Sequence, residues 1–162
     1  MDGYWQGCAD SLCGAYSIVN SYIALGNEDK AQSLFDAMIE LLAKKKILKS
    51  VVIGGVNHKI MSLMVNEYKS LFKVRCYTFP KFYNLEEYWK FMKNLKNPVI
   101  VSIGEKRNHM SVCLKTTLAT MKMMDSNGLN SIRKKDALLV PDYDENKYVL
   151  FPTQSWMVEK EG

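Results

Sequence analysis

Cys13 stands where a nucleophile would. It lies in the run Gln6-Gly7-Cys8-Ala9-Asp10-Ser11-Leu12-Cys13-Gly14-Ala15-Tyr16, ahead of apolar residues at 15, 18, 19, 22 and 23. That spacing predicts an amphipathic helix, and Asp10 or Ser11 supplies the side-chain oxygen of its N-cap. Cys13 then falls in the first helical turn, where backbone N–H groups lack partners and the helix dipole favours negative charge. A thiol so placed is activated, because the thiolate is the form that attacks. Gly14 beside it leaves room for a substrate backbone. Cys8 is the thiol that would take over if the helix began elsewhere.

A glutamine, a short loop and then Cys13-Gly14 opening a helix resembles the papain-like cysteine peptidases. Within them the bacterial double-glycine leader peptidases, which process bacteriocins, are closest. The resemblance implies that Gln6 donates to an oxyanion and that Cys13 is the nucleophile. It also implies that a histidine at the start of a later strand is the base, oriented by a following Asp or Asn. No cofactor or metal is implied.

The chain has two histidines. His58 follows Gly54-Gly55-Val56-Asn57 at the start of a predicted helix and reads as a capping or surface residue. His109 comes after the charged loop 105–108 and opens the run Met110-Ser111-Val112-Cys113-Leu114, the place the resemblance gives to the base. Asp125 ends the next apolar run, just before the turn-forming Ser126-Asn127-Gly128. A hairpin turning at Thr116-Thr117-Leu118 pairs positions whose numbers sum to 234, which sets His109 opposite Asp125. Directly opposed residues have Cβ atoms roughly 4.5–5.5 Å apart, within reach of a His–carboxylate hydrogen bond. Asn127 is the alternative orienter. Cys113 shares strand parity with His109 but reads first as a small core residue, and Cys76 as a structural strand residue. Trp5, Trp89 and Trp156 read as packing residues, Trp156 with a second reading as a cover for one side of the cleft.

The elements that must position these groups follow in order. A second helix opens at Asn27, with apolar positions 34, 35, 38, 39, 41 and 42, and ends in Lys44-Lys45-Lys46. A third covers residues 57–72, and Asn84 with Glu87 forms a capping pattern for a fourth that runs to 95. Strands are predicted at 74–79, 98–104, 109–115, 120–125, 138–140 and 147–151. Helices first and antiparallel strands afterwards make one α+β domain spanning residues 1–162. The resemblance implies the papain-like arrangement: an N-terminal helical half carrying the Cys helix, packed on a C-terminal antiparallel sheet carrying His and Asp. A substrate cleft between the halves would be edged by Gln6, Gly54-Gly55, the 105–108 loop and the 126–128 loop.

A chain of 162 residues with 48% hydrophobic and 24% charged residues can bury a core without disulfides or metals. No apolar run is long enough to span a membrane, and the N-terminus lacks a signal-peptide pattern. Four cysteines at these spacings fit neither a disulfide framework nor a zinc site. A net charge of +5 with no aromatic-basic stripe argues against nucleic acid as a partner.

The expected activity is peptide-bond hydrolysis through a thioester, by a Cys13-His109-Asp125 triad with Gln6. Glutamine deamidases use the same triad. A degenerate, peptide-binding domain is the non-enzymatic alternative, against which both Cys and His stand in place. The candidate site begins five residues after Met1, which suits a domain cut from a longer polypeptide or a compact protein. By analogy it suits the toxin or effector domain of a larger, delivered bacterial protein, acting in cytoplasm, with an inhibitory immunity protein as partner.

Overall fold

The computed structural model describes residues 11–105 and 109–161. Helices come first: α1 (Cys13–Ala24), α2 (Ala31–Lys44), α3 (Leu48–Gly54) and α4 (His58–Phe72). Strand β1 (Val74–Thr78) and helix α5 (Leu85–Asn94) follow. The rest is strands: β2 (Val99–Glu105), β3 (His109–Thr116), β4 (Thr120–Met124), β5 (Ser131–Arg133), β6 (Ala137–Leu139), β7 (Tyr148–Leu150) and β8 (Trp156–Lys160). This is a mixed α+β domain, helices then sheet. Among the described residues no helix is long and apolar enough to cross a membrane.

One sheet holds all eight strands in the order β1-β8-β2-β3-β4-β5, with β7 on the edge of β2 opposite β3 and β6 outside β7. Every pairing is antiparallel except β6–β7, which is parallel. The expected strand at 98–104 is the central one. Its alternating side chains enter two cores: Ile100 joins the one under the helices, and Val99, Val101 and Ile103 join the one beneath α5.

Helix α1 departs from the amphipathic expectation, because every residue from Cys13 to Ile23 is buried. The sheet covers one side through β3, while α2 and α4 cover others. Its polar residues tolerate this by turning inward on the helix: Ser17 Oγ donates to Cys13 O at 2.7 Å and Ser21 Oγ to Ile18 O at 2.7 Å. Ser11 is not the N-cap. That position is Leu12, with no side-chain cap, and Asp10 lies outside the described residues. Ser11 instead ties the entry to α3 through its N–H, which donates to Val52 O at 3.1 Å.

Gly14 has a packing reason. A Cβ there would meet both Val56 methyls at 3.0 Å and Met61 Sδ at 3.1 Å. The missing side chain admits the start of α4 against α1.

The β3–β4 hairpin is where the expected register fails. Thr116 pairs with Met121 and Lys115 with Lys122, but Cys113 pairs with Met123 and Val112 with Met124, the step falling at Leu114. The expected sum of 234 is therefore 237 at the turn and 236 beyond the bulge. Paired residues in an antiparallel ladder share a face, so an unbroken 237 register would put Asp125 opposite Val112. The bulge sets it opposite Ser111 instead, on the alternation that includes His109. His109 and Asp125 are diagonal neighbours, not opposed ones.

Helix α5 braces this hairpin from behind. Asn84 Oδ1 accepts from Glu87 N–H at 2.8 Å, while Glu87 Oε2 accepts from Tyr83 N–H at 3.1 Å. Trp89, 2% exposed, donates its Nε1–H to Thr117 O at 2.9 Å in the turn itself. Trp89→Ala should cost about 3–5 kcal/mol in urea unfolding, the usual range for emptying a buried aromatic site. A loss under about 1 kcal/mol would mean that the hairpin holds its shape without α5.

Candidate active site

Cys13 is the first residue of α1, and His109 is the first of β3. The structure brings them together. His109 Nε2 lies 2.5 Å from Asp125 Oδ1, and the Cys13 thiol lies near enough to the same imidazole to favour its charged form. An ionised carboxylate can only accept, so Nε2 carries the proton toward Asp125. That leaves Nδ1 to exchange a proton with Cys13. Gln6 and Cys8 lie outside the described residues.

Asp125 is fixed at every oxygen. Oδ2 accepts from Asn127 N–H at 2.9 Å and from Leu129 N–H at 3.0 Å, closing a turn in which Gly128 takes φ +79°. A left-handed φ of that kind is one that glycine adopts freely. Asn127, the alternative orienter, thus supplies a backbone donor to the carboxylate that holds the histidine.

Burial alone would lower the His109 value, but hydrogen bonds and charge from Asp125 and Cys13 outweigh it and push the imidazole up to about 9. Burial likewise opposes ionisation of Asp125. The hydrogen bond and charge of His109, with help from Leu129 N–H and the Ser111 hydroxyl, hold the carboxyl below its ordinary value. Both shifts favour the imidazolium–carboxylate form.

These groups face a cleft of about 470 Å³ between the helices and the sheet. Its helical wall includes Gly54, Gly55, Val56 and His58; its sheet wall includes Ser102, Met110, Phe151 and Gln154. Of the expected edges, Gly54-Gly55 and Asn127 are present, while residues 106–108 lie outside the described ones. Cys113 is not in the cleft: it belongs to the core beneath α5, with its sulfur 3.4 Å from Thr116 Oγ1.

His58 is a surface residue, as one of its two expected readings has it, but it is not the cap. Asn57 is the cap, accepting from Ile60 N–H at 2.9 Å. His58 is exposed but lines the cleft, its ring stacked on buried Trp156 at a centroid distance of 5.3 Å and an interplanar angle of 17°. No local pattern predicts a stack between residues 98 positions apart. Ser102 was also missed, though a lone serine in an apolar strand was a readable signal.

Among the described residues no group of three or more His, Cys, Asp or Glu side chains is placed to hold a metal ion. Comparisons with protein-family models, with curated proteins and with solved structures find no match.

Two outcomes follow from the geometry. Burial pushes Cys76 up to about 12 and Cys113 up to about 11, whereas Cys13 opens on the cleft beside an imidazole. Limited iodoacetamide treatment with peptide mapping should therefore modify Cys13 before Cys76 or Cys113. Equal labelling of the three would show that the cleft does not activate this thiol.

The second outcome concerns pH. Because His109 is raised in the fold, its contribution to stability is complete below about pH 6.5 and is lost as pH climbs through about 9. Because Asp125 is lowered, its contribution is present above about pH 4 and is lost on acidification. The pair therefore stabilises most between about pH 4 and 6.5. Histidine NMR should place the His109 midpoint near 9, and Asp125→Asn should move it down and flatten the alkaline fall in melting temperature. An unmoved midpoint would mean that Asp125 does not set the charge of His109.

Proposed function

We propose that this chain is a papain-like cysteine hydrolase that cleaves peptide bonds. One observation carries the proposal: a thiol at the N-terminus of a buried helix and an imidazole face one cleft, and a carboxylate fixes a nitrogen of that imidazole. The order of helical half and sheet half supports the same reading.

In the proposed reaction the sulfur attacks the substrate carbonyl carbon as the thiolate, its proton resting on Nδ1 of the His109 imidazolium. The carbonyl π bond opens and its oxygen becomes an oxyanion, met by the backbone N–H of Cys13. Gln6 is the second donor by resemblance. The tetrahedral adduct collapses, the C–N bond breaks, and the amine leaves with the proton held by His109. A thioester remains on Cys13. Water, deprotonated by His109, then attacks it, the C–S bond breaks, and the acid departs as the thiol is restored. Asp125 stays ionised throughout and holds the ring tautomer.

Cys13→Ala and His109→Ala should abolish turnover, Gln6→Ala should cost roughly 10²–10³ in rate, and Asp125→Ala should leave partial activity. The decisive measurement incubates wild type and Cys13→Ala with cell lysate, and compares new N-termini by mass spectrometry with released ammonia. Cys13-dependent new N-termini are expected. Cys13-dependent ammonia with an intact backbone would replace peptide cleavage by side-chain deamidation, and neither product would overturn the hydrolase.

A further inference from the structure

The sheet wall of the cleft holds hydrogen-bonding groups that the triad does not use. Ser102 is the first polar residue on the helix-facing side of β2. Ile100, two positions earlier, lies in the core under α1, and the cross-strand partner of Ser102, Met110, lines the cleft with it. Ser102 is 8% exposed. Its backbone is committed, the N–H donating to Ser155 Oγ at 3.2 Å and the carbonyl accepting from Phe151 N–H at 3.1 Å. Its hydroxyl has no partner among the described residues.

Gln154 stands beside it in the cleft. Its backbone N–H donates to Phe151 O at 3.0 Å, while its side-chain amide has no partner among the described residues. Opposite, His58 is held by its stack on Trp156, with both ring nitrogens unpartnered among the described residues. These groups give the cleft hydrogen-bonding capacity that an occupant can use.

The chemistry of these three groups selects that occupant. A serine hydroxyl and a glutamine amide each both donate and accept, and an imidazole adds a ring N–H donor. No Asp, Glu, Lys or Arg lines the cleft among the described residues. A carboxylate brings acceptors only and an ammonium donors only, so either satisfies these groups only in part. A carboxamide brings two donors and an acceptor oxygen, so it can engage two of the three groups at once, which a lone hydroxyl does less well. We propose that Ser102, Gln154 and His58 form a subsite for a carboxamide side chain, glutamine or asparagine, of the substrate. This rests on the hydrolase reading for its role in turnover, but as a binding site it stands on the geometry.

The test uses hexapeptide pools with each position in turn fixed as Gln, Glu, Lys or Leu. Turnover by the wild-type chain and NMR-detected binding to Cys13→Ala are both read. The Gln-fixed pool should exceed the Glu, Lys and Leu pools by tenfold or more at one position, in kcat/KM and in affinity. Ser102→Ala and Gln154→Ala should each shrink that ratio severalfold, with the largest amide shifts in wild type near residues 102 and 154. Cys13-dependent turnover with no Gln preference, or with Glu or Lys preferred, overturns the subsite and leaves the hydrolase. Absence of turnover overturns the hydrolase, and the binding arm then decides the subsite by the same tenfold criterion. Ammonia release from the Gln pool supports the subsite and makes its occupant the reacting amide.

Discussion

A carboxylate buried to 8% exposure has to find partners for its oxygens inside the protein, and Asp125 does so with groups from several segments. One oxygen meets His109 across the sheet; the other gathers the N–H groups of Asn127 and Leu129. That demand shapes the chain around it. The residues after β4 must fold back at once, Gly128 must take a left-handed φ, and the ladder must present Asp125 on the same alternation as Ser111. Removing either charge would leave the other buried without compensation, which is the costly way to break such a pair. The imidazole is accordingly stable in the charged form over a wide range of pH.

The rise of His109 from its ordinary 6.5 to about 9 is owed first to the hydrogen bond of Asp125, with Cys13 adding to it. The helix matters for where it places the sulfur. That placement follows from burial: with α2, α4 and β3 around it, α1 has no freedom to roll, and Gly14 lets α4 press close beside the thiol.

Periodicity and punctuation were enough to locate α2, α4 and α5 and most of the strands, because each carries a strong local pattern or cap. Cys13, His109 and Asp125 were nominated with the help of the resemblance, which says where a base and its orienter should follow the thiol. Register was harder. The turn at Thr117–Thr120 closes on side-chain hydroxyls, not on Gly or Asn, and the compensating bulge at Leu114 has no sequence mark. The expected and observed registers differ by two residues at the site, which preserves the face, so the contact survived a mistaken pairing. Strands β5 and β8 went unread: β5 is three residues long, and β8 follows a Pro152–Gln154 turn that reads as loop. The cleft roles of His58 and Ser102 depend on Trp156 and Met110, contacts that only the tertiary fold supplies.

The position of the cleft follows from a break in that last connection. Strand β7 pairs with β2 at Ile103–Glu105, and β8 pairs with it at Val99 and Ile100, so one edge of β2 is shared by two strands with a corner between them. An unbroken strand would cover that edge and fill it with alternating side chains. The corner instead lifts away at Phe151, turns through Pro152–Gln154 and returns at Trp156. Ser102 would lose its backbone partners there, yet Phe151 N–H still reaches its carbonyl, and Ser155 Oγ accepts its N–H where a strand carbonyl would have done so. Ser155 Oγ in turn donates to Phe151 O at 2.9 Å, which locks the corner. Because the backbone is satisfied in this way, the sheet can open beside Ser102 without an unpaired buried amide, and Gln154 lines the same cleft as the thiol.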